Sequence, residues 1–325
     1  MSRRIVLDTD MGSDVDDALC LALILASPEL ELVAVTTVGN EAHLRAQVAR
    51  RLLDLACIES VPVFAGCRVP MLGGRGFNWF GLEGQGILEP GREPQVESRH
   101  AVDSLLQLSR DEPDFDLVAV GPVTNLAAAL LLDPDFASRI RSLTIMGGHL
   151  RQVAYGGKVF PAGVDYNLCS DPEASYLVLR SGIPTTLICA DVTLQTWIRP
   201  DDVDAIAAVA TPFHRTLADA VRLWTPVQRR IFGGLGADMS EPNAAFLHDP
   251  LTAAVLYAPE LCSFETLEIE PAIEGGLFRT FERPEAGERT FPMRCATAVR
   301  AAAVREDFMD RVLNWRPAKA AVSSS

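Results

Sequence analysis

The stretch Arg4-Ile5-Val6-Leu7-Asp8-Thr9-Asp10-Met11-Gly12-Ser13-Asp14-Val15-Asp16-Asp17-Ala18 constrains the chain more than any other. Its first residues read as a buried parallel strand, Gly12 marks a sharp turn, and the apolar run over 18–26 reads as a helix. Asp8, Asp10, Asp14, Asp16 and Asp17 all fall in or beside that turn, at the carboxyl end of a strand and the start of a helix. Carboxylates packed so closely repel one another unless a cation neutralises them, and hard oxygen ligands at this density suit Ca²⁺ or Mg²⁺. Helix capping by Asp16 or Asp17 accounts for one or two of these side chains and leaves the rest unexplained.

What surrounds that turn sets the broad class. With 325 residues and 48% of them hydrophobic, the chain can bury a large core. A formal net charge of -14 opposes phosphate backbones and anionic lipid, so nucleic acid and membrane partners are not expected, and a neutral or cationic small molecule fits better. The 7 cysteines are scattered through apolar segments such as Leu187-Ile188-Cys189-Ala190, form no CxxC pair, and read as reduced core residues rather than zinc ligands. Arg3 and Arg4 lead into a strand rather than a signal peptide, and no apolar run reaches the roughly eighteen residues of a membrane helix, so the expected compartment is the cytoplasm.

Downstream the pattern alternates as in an α/β protein. Strands are expected over 31–38, 61–65, 115–120, 141–146 and 185–189, with helices over 42–56, 99–109, 123–132 and 172–180. Such an order predicts a mostly parallel, Rossmann-like central sheet flanked by helices. Ligands of these sheets bind outside the carboxyl ends of the strands, which here read Asp8-Thr9-Asp10, Gly39-Asn40, Gly66, Gly121-Pro122, Gly147-Gly148 and Asp191. Beyond residue 200 the pattern turns helical to about 232, with a short helix near 251–257. Strands are then expected over 265–270, 277–282, 289–293 and 295–299, and a closing helix over 305–315. This part reads as a helical and small β-rich elaboration of a single domain spanning 1–317, and the small, polar residues 318–325 as a frayed tail. Two long loops stand out. Residues 66–98 carry Phe77-Asn78-Trp79-Phe80 beside Glu83, and residues 147–167 carry Tyr155-Gly156-Gly157; their aromatics read as walls for a planar ligand or as a small hydrophobic cluster beneath a loop.

The acidic turn has three readings. Asp8-x-Asp10-x-Gly12-x-Asp14 has the look of a helix-loop-helix calcium loop, but a strand precedes it and Leu19 stands where the bidentate acid belongs. An Asp-x-Asp after a strand also fits a Mg²⁺-dependent phosphatase with Asp8 as nucleophile, although the rim supplies Asn, Gly and His more than the Lys of a phosphate clamp. The third reading extends furthest along the chain. Asp8-Thr9-Asp10-Met11-Gly12 with Asp16-Asp17-Ala18, then Gly39-Asn40, Gly121-Pro122-Val123-Thr124-Asn125-Leu126, Met146-Gly147-Gly148, Asp165-Tyr166-Asn167 with Asp171-Pro172-Glu173-Ala174, and His248-Asp249-Pro250 follow in order over residues 4–250. This series resembles the inosine-uridine preferring nucleoside hydrolases.

The resemblance implies hydrolysis of the N-glycosidic bond of a ribonucleoside or close analogue to free base and ribose, with one Ca²⁺ ion. Such a reaction passes through a sugar of oxocarbenium character, so it needs an activated water and charge relief at the departing base. By the resemblance the Ca²⁺ ligands are Asp10, Asp17, Asp249 and the backbone carbonyl of Thr124, and Asp10 also acts as base toward a metal-bound water. Asp16, Asn40, Asp165 and Asn167 face sugar hydroxyls, Asp249 lies toward the 3′ side, Met146 lines the sugar site, and His248 protonates or hydrogen-bonds the leaving base. Trp79 and Trp224 are candidate base-stacking residues, with Arg222, Gln228 and Arg229 on the same helical segment; at helical spacing Leu217, Val221 and Trp224 fit a core stripe equally well. Relatives are commonly dimers or tetramers, so a homodimer or homotetramer is expected, in purine or pyrimidine salvage.

This chain departs from the family pattern at four places. Ser13-Asp14-Val15 lengthens the first turn by two residues, which brings Asp14 in as a further candidate ligand. Asp165 stands where many members have Glu, Val159 where an Asn often holds the 5′-hydroxyl, and the segment Asn78-Trp79-Phe80-Gly81-Leu82-Glu83 carries no His. A different group at the ribose 5′ position fits these changes, and so does a non-catalytic nucleoside or sugar binding protein. Asp191 reads as a helix cap or loop brace rather than a site residue.

Overall fold

The computed structural model describes residues 2–12, 14–73 and 82–317. Strand β1 (Arg3–Thr9) leads through the acidic turn to α1 (Asp16–Leu25), β2 (Leu30–Thr37), α2 (Ala42–Leu55) and β3 (Val63–Ala65). Then come α3 (Ala101–Asp111), β4 (Phe115–Ala119), α4 (Thr124–Leu132), α5 (Phe136–Arg139) and β5 (Ile140–Met146). A hairpin of β6 (Val153–Tyr155) and β7 (Lys158–Phe160) precedes α6 (Tyr166–Ser170), α7 (Pro172–Leu179), β8 (Thr185–Ile188), the single turn α8 (Ala190–Thr193) and β9 (Trp197–Ile198). The helices α9 (Pro200–Ala208) and α10 (Pro212–Gly234) are followed by β10 (Ala245–Phe246) and α11 (His248–Ala254). The chain closes with β11 (Cys262–Glu274), β12 (Leu277–Arg283), β13 (Phe291–Val299) and α12 (Ala301–Asn314).

Nine strands form the central sheet, in the order β12-β11-β13-β8-β5-β4-β1-β2-β3. From β13 to β3 every neighbouring pair is parallel, and at one edge β11 runs antiparallel to both of its neighbours, β13 and β12. The continuous apolar run of β1 follows from its place near the middle. Ile5 and Leu7 point into the core packed by α1, Val6 points into the one on the opposite face, and all three are fully buried. Because the strands are parallel, the ends of β1, β2, β4, β5 and β8 open onto one rim, where the polar segments of the sequence collect.

The structure corrects two expectations. Residues 289–293 and 295–299 are not two strands but one, β13, and the C-terminal strands join the main sheet, where Cys295 pairs with Leu187 of β8. Arg294 keeps the alternation, turned outward between buried Met293 and Cys295, with its guanidinium 3.4 Å from the centroid of the Phe264 ring on β11; the pattern breaks at Cys295-Ala296, next to the shift in register with β11, and the strand runs on. The 147–167 loop also has structure of its own. Tyr155 on its hairpin packs edge-on against Trp197, Phe232 and Phe246, a hydrophobic cluster rather than a ligand wall. The expected tail at 318–325 lies outside the described residues. All 7 cysteines are free, and no described helix is long and apolar enough to cross a membrane.

Candidate active site

The acidic turn closes into a buried cup at the end of β1. Gly12 takes φ +119°, a conformation that side chains rarely adopt, and this folds the chain back toward α1. Thr9 Oγ1 accepts the Met11 backbone N–H at 3.1 Å and donates to Asp17 Oδ1, which fixes one acid of the turn against the strand. Asp14, Asp16 and Asp17 each bring a carboxylate oxygen to within 4.8 Å of the others. None serves as an ordinary N-cap, because the cap position of α1 is Val15, with no side-chain cap bond. After β4, Gly121 lies flat against Asp10; a Cβ there would come within 2.8 Å of the Asp10 backbone nitrogen.

Acid from the far end of the chain joins the cup. Helix α11 packs along α1, and Asp249 in its first turn enters the field of the turn carboxylates. Burial holds the Asp249 carboxyl well above its usual range, with Asp16, Asp17, Asp14 and Asp10 adding repulsion in that order. Burial likewise raises Asp17, assisted by Asp10 and Asp14, and raises Asp16, assisted by Asp14 and Asp17. Asp10 is pushed up to about 7, by burial first and against the pull of Arg45. Oxygen donors in such mutual repulsion are what a hard divalent cation relieves, so the residues present fit a metal ion.

A buried cation faces the same acids. Arg45 on α2 is only 2% exposed; its Nη1 lies 3.8 Å from Asp10 Oδ2 and its Nη2 3.8 Å from Glu83 Oε1. Its charge also reaches Asp14, Asp17 and the Tyr166 phenol. Arg45 is not among the residues expected at the site, because arginine is ordinarily a surface residue. The signal was its helical phase, with Ala49 and Leu52 on the same buried stripe.

The residues expected around a sugar occupy the strand ends beside the cup. Asn167 donates from Nδ2 to the carbonyls of Val120 at 2.8 Å and Met146 at 3.0 Å, which ties the ends of β4 and β5 together. Asp165 caps α6, accepting the Leu168 N–H at 2.9 Å, and burial raises its carboxyl. Asn40 is half-buried at the end of β2, where its carbonyl accepts from Arg68 Nε at 3.0 Å. Thr124 begins α4 and donates from Oγ1 to Asp171 Oδ2 at 2.7 Å; Asp171 in turn caps α7 and accepts from the Met71 N–H, so it braces the loops of the rim. Val159 is 54% exposed on the β7 strand of the hairpin. Asp191 accepts the Leu150 N–H at 3.0 Å, the loop brace expected of it.

At the opposite wall His248 opens α11, half-buried, with Nδ1 2.6 Å from Thr193 Oγ1 and its ring tilted against Phe246 at 4.9 Å between centroids. Burial lowers its pKa to about 4, so the ring is neutral at physiological pH. Trp224 is half-buried on α10 and lines a narrow cleft with Met11, Gly12, Asp14 and Leu82, whereas Leu217 and Val221 on the same helix are wholly core. Gln228 is also internal, donating to Asn243 and accepting from Trp224 Nε1, and Arg222 pairs outward with Asp204 and Asp219. Trp79 lies outside the described residues. Asp8 sits beneath the cup, fully buried, with Oδ1 accepting from Thr36 Oγ1 at 2.6 Å and Asn125 Nδ2 at 2.8 Å. That placement removes it as a nucleophile.

Known proteins share both the sequence pattern and this architecture. The family model described as inosine-uridine preferring nucleoside hydrolase matches residues 5–306. The chain is 34% identical over 269 residues to the pyrimidine-specific ribonucleoside hydrolase RihA of Photobacterium profundum, covering 80% of this chain and 82% of that protein. It is 30% identical over 285 residues to the inosine-uridine preferring nucleoside hydrolase of Leishmania major, covering 85% of this chain and 86% of that one. Among solved structures, the purine-preferring ribonucleoside hydrolase from Gardnerella vaginalis superposes with a TM-score of 0.82 at 28% identity, over 96% of this chain and 98% of the other. A plant nucleoside hydrolase gives a TM-score of 0.83 at 25% identity, over 97% and 100%. With the rim motifs in order and the match running through nearly the whole sheet, the chain belongs to the inosine-uridine preferring nucleoside hydrolase family and is an N-glycosyl hydrolase.

Proposed function

We propose that the protein hydrolyses the N-glycosidic bond of a ribonucleoside with one Ca²⁺ held by Asp10, Asp17, Asp249 and the Thr124 carbonyl, with Asp14 as a further ligand from the lengthened turn. The observation that carries this reading is the meeting of acids from both ends of the polypeptide: Asp249 lies in the field of Asp10, Asp14, Asp16 and Asp17 in one buried cup. When bound, the ion supplies a lowered pKa for water and a grip on vicinal hydroxyls, which favours ribose over deoxyribose.

The protein's own residues do the rest. Asp10, pressed between Gly121 and Arg45, takes the proton of the attacking water. Asn167 has committed Nδ2 to the strand ends, so its Oδ1 remains as acceptor for a sugar hydroxyl. Asp16 and Asn40 face the same hydroxyls, Asp165 sets the start of α6 so that Asn167 is presented, and Met146 forms the floor. Neutral His248 meets the departing base as a hydrogen-bond donor, and Trp224 forms a face for it.

The test is reducing-sugar release from a panel of purine and pyrimidine nucleosides, before and after chelation, with Ca²⁺ or Mg²⁺ restored. Release that is lost in chelator and recovered best by Ca²⁺ is expected. Binding of nucleoside without ribose release would instead support a binding protein built on the same pocket.

A further inference from the structure

Among the described residues the hydroxyl of Thr193 has one partner, and that partner is His248. Thr193 is wholly buried at the end of α8. Its backbone N–H donates to Cys189 O at 3.0 Å, and its carbonyl accepts from Thr196 Oγ1 at 2.9 Å and from the Thr196 N–H at 3.0 Å. That leaves Oγ1, which lies 2.6 Å from His248 Nδ1 and has no other hydrogen bond among the described residues.

The two ways of placing the hydrogens are not equivalent. If Nδ1 carried the ring hydrogen, the hydroxyl would accept it and its own O–H would be buried with nothing to donate to, at a cost of about 1–3 kcal/mol. If the hydroxyl donates to Nδ1, both groups are satisfied, and with no hydrogen on Nδ1 the ring carries its hydrogen on Nε2. The Phe246 ring, 4.9 Å away and inclined by 31°, holds the imidazole plane. Nε2 has no protein partner among the described residues, so the end of the ring left for a ligand is a donor.

We propose that Thr193 is a positioning residue for base departure: it locks His248 as the Nε2–H tautomer, ready to donate a hydrogen bond to the leaving base. This rests on the proposed nucleoside hydrolysis. As the C1′–N bond breaks, its electron pair collects on the base, and the Nε2–H stabilises that charge without the ring having to be an imidazolium. An Nδ1–H tautomer would point a lone pair at the same developing charge.

The test compares two kinds of leaving group in Thr193→Val, which keeps the shape and removes the hydroxyl, and in Thr193→Ser, which restores it. A nucleoside such as uridine or inosine needs help at the base, whereas p-nitrophenyl riboside releases a stable phenolate without it. In Thr193→Val, kcat on the nucleoside should fall by about 10²-fold, at the low end of what a positioned proton donor contributes, while the p-nitrophenyl riboside rate falls by no more than about threefold. Thr193→Ser should recover most of the nucleoside rate. Nitrogen-15 spectra of the His-labelled wild type at neutral pH should show His248 with hydrogen on Nε2, a readout that needs no variant to fold. Equal losses on both substrates, an undiminished nucleoside rate, or hydrogen on Nδ1 would each overturn the proposal. A wild type that cleaves neither substrate would overturn the underlying hydrolase reading as well.

Discussion

Replacing Arg45 by Met should destabilise the metal-free protein and strengthen its hold on a divalent cation. Arg45 lies 3.8 Å from both Asp10 and Glu83 and is almost wholly enclosed. At that separation and an effective dielectric near 20, each contact is worth roughly 4 kcal/mol before desolvation is counted. Desolvating the guanidinium offsets much of this, and removing one member of a buried pair usually costs about 3–5 kcal/mol because the partner is left uncompensated. Methionine has a similar stem and no charge, so the loss reports on electrostatics more than on a cavity. Denaturant unfolding in chelator at pH 8 should therefore show a drop of about 3 kcal/mol. The same carboxylates then face the metal without a competing cation, so the Ca²⁺ dissociation constant from calorimetric titration should tighten by about a decade or more. Saturating Ca²⁺ should recover at least ~1.4 kcal/mol of the lost stability by mass action. If Arg45→Met binds Ca²⁺ as the wild type does, or more weakly, the idea that guanidinium and metal share these acids is wrong.

The remaining expectations concern the same cup and its supports. Asp8 and Asp10 have folded-state pKa values raised from 3.8 to about 7, so the folded protein keeps protons that the unfolded chain has released over that interval. The stability they contribute is complete below about pH 4 and is lost as the pH rises through 7: in chelator the melting temperature should be lower at pH 8 than at pH 5.5, saturating Ca²⁺ should flatten the difference, and a melting temperature that rises over this range would contradict the burial of these acids. Asp14→Ala and Asp16→Ala, titrated side by side with Ca²⁺, should separate the lengthened turn into roles, with weakened metal binding for Asp14 and, for Asp16, a raised KM at nearly constant Ca²⁺ affinity. Identical behaviour of the two would remove that division. Asn125 donates to Asp8 Oδ1 at 2.8 Å and the Thr37 carbonyl at 3.1 Å and accepts the Cys67 N–H at 2.9 Å. Asn125→Ala should thus cost about 2–4 kcal/mol in equilibrium unfolding by stranding buried partners, and a change below 1 kcal/mol would mean water or rearrangement satisfies them.

Features decided by local chemistry were legible in the sequence, and features decided by distant partners were not. The strand, the glycine turn and the helix of residues 4–26 each depend on neighbours within a few positions, and the structure reproduces them almost residue for residue. The parallel order of the sheet followed from the alternation of strands and helices. The run from 289 to 299 reads as two pieces because the alternation breaks at Cys295-Ala296, both buried, next to a shift in register of the pairing with β11, and only that pairing shows that one strand runs through. The same distinction runs through the site. Asp8, Asp10, Asp16 and Asp17 were visible as a cluster, but the role of each depends on what approaches from elsewhere: Thr36 and Asn125 bury Asp8, Thr9 holds Asp17, and Arg45 and Gly121 bracket Asp10.

A parallel sheet makes one class of functional residue easy to read and another hard. Side chains at the carboxyl ends of strands are placed by the sheet itself, so an Asp, Asn or Gly just after an apolar run is already a rim residue whatever the loops do. Side chains supplied by helices have no such rule. Arg45 and Trp224 sit on helices whose inward faces are set by packing, and from sequence alone each is as consistent with a stem along the surface or a core stripe as with a wall of the site. Thr193 is harder still, since the turn it ends is too short to leave a periodic trace and its partner lies 55 positions away. On the proposed mechanism the chemistry of departure therefore depends on a contact that strand periodicity cannot report: the rim places the acids proposed to meet the sugar, while tertiary packing decides which nitrogen of His248 would meet the base.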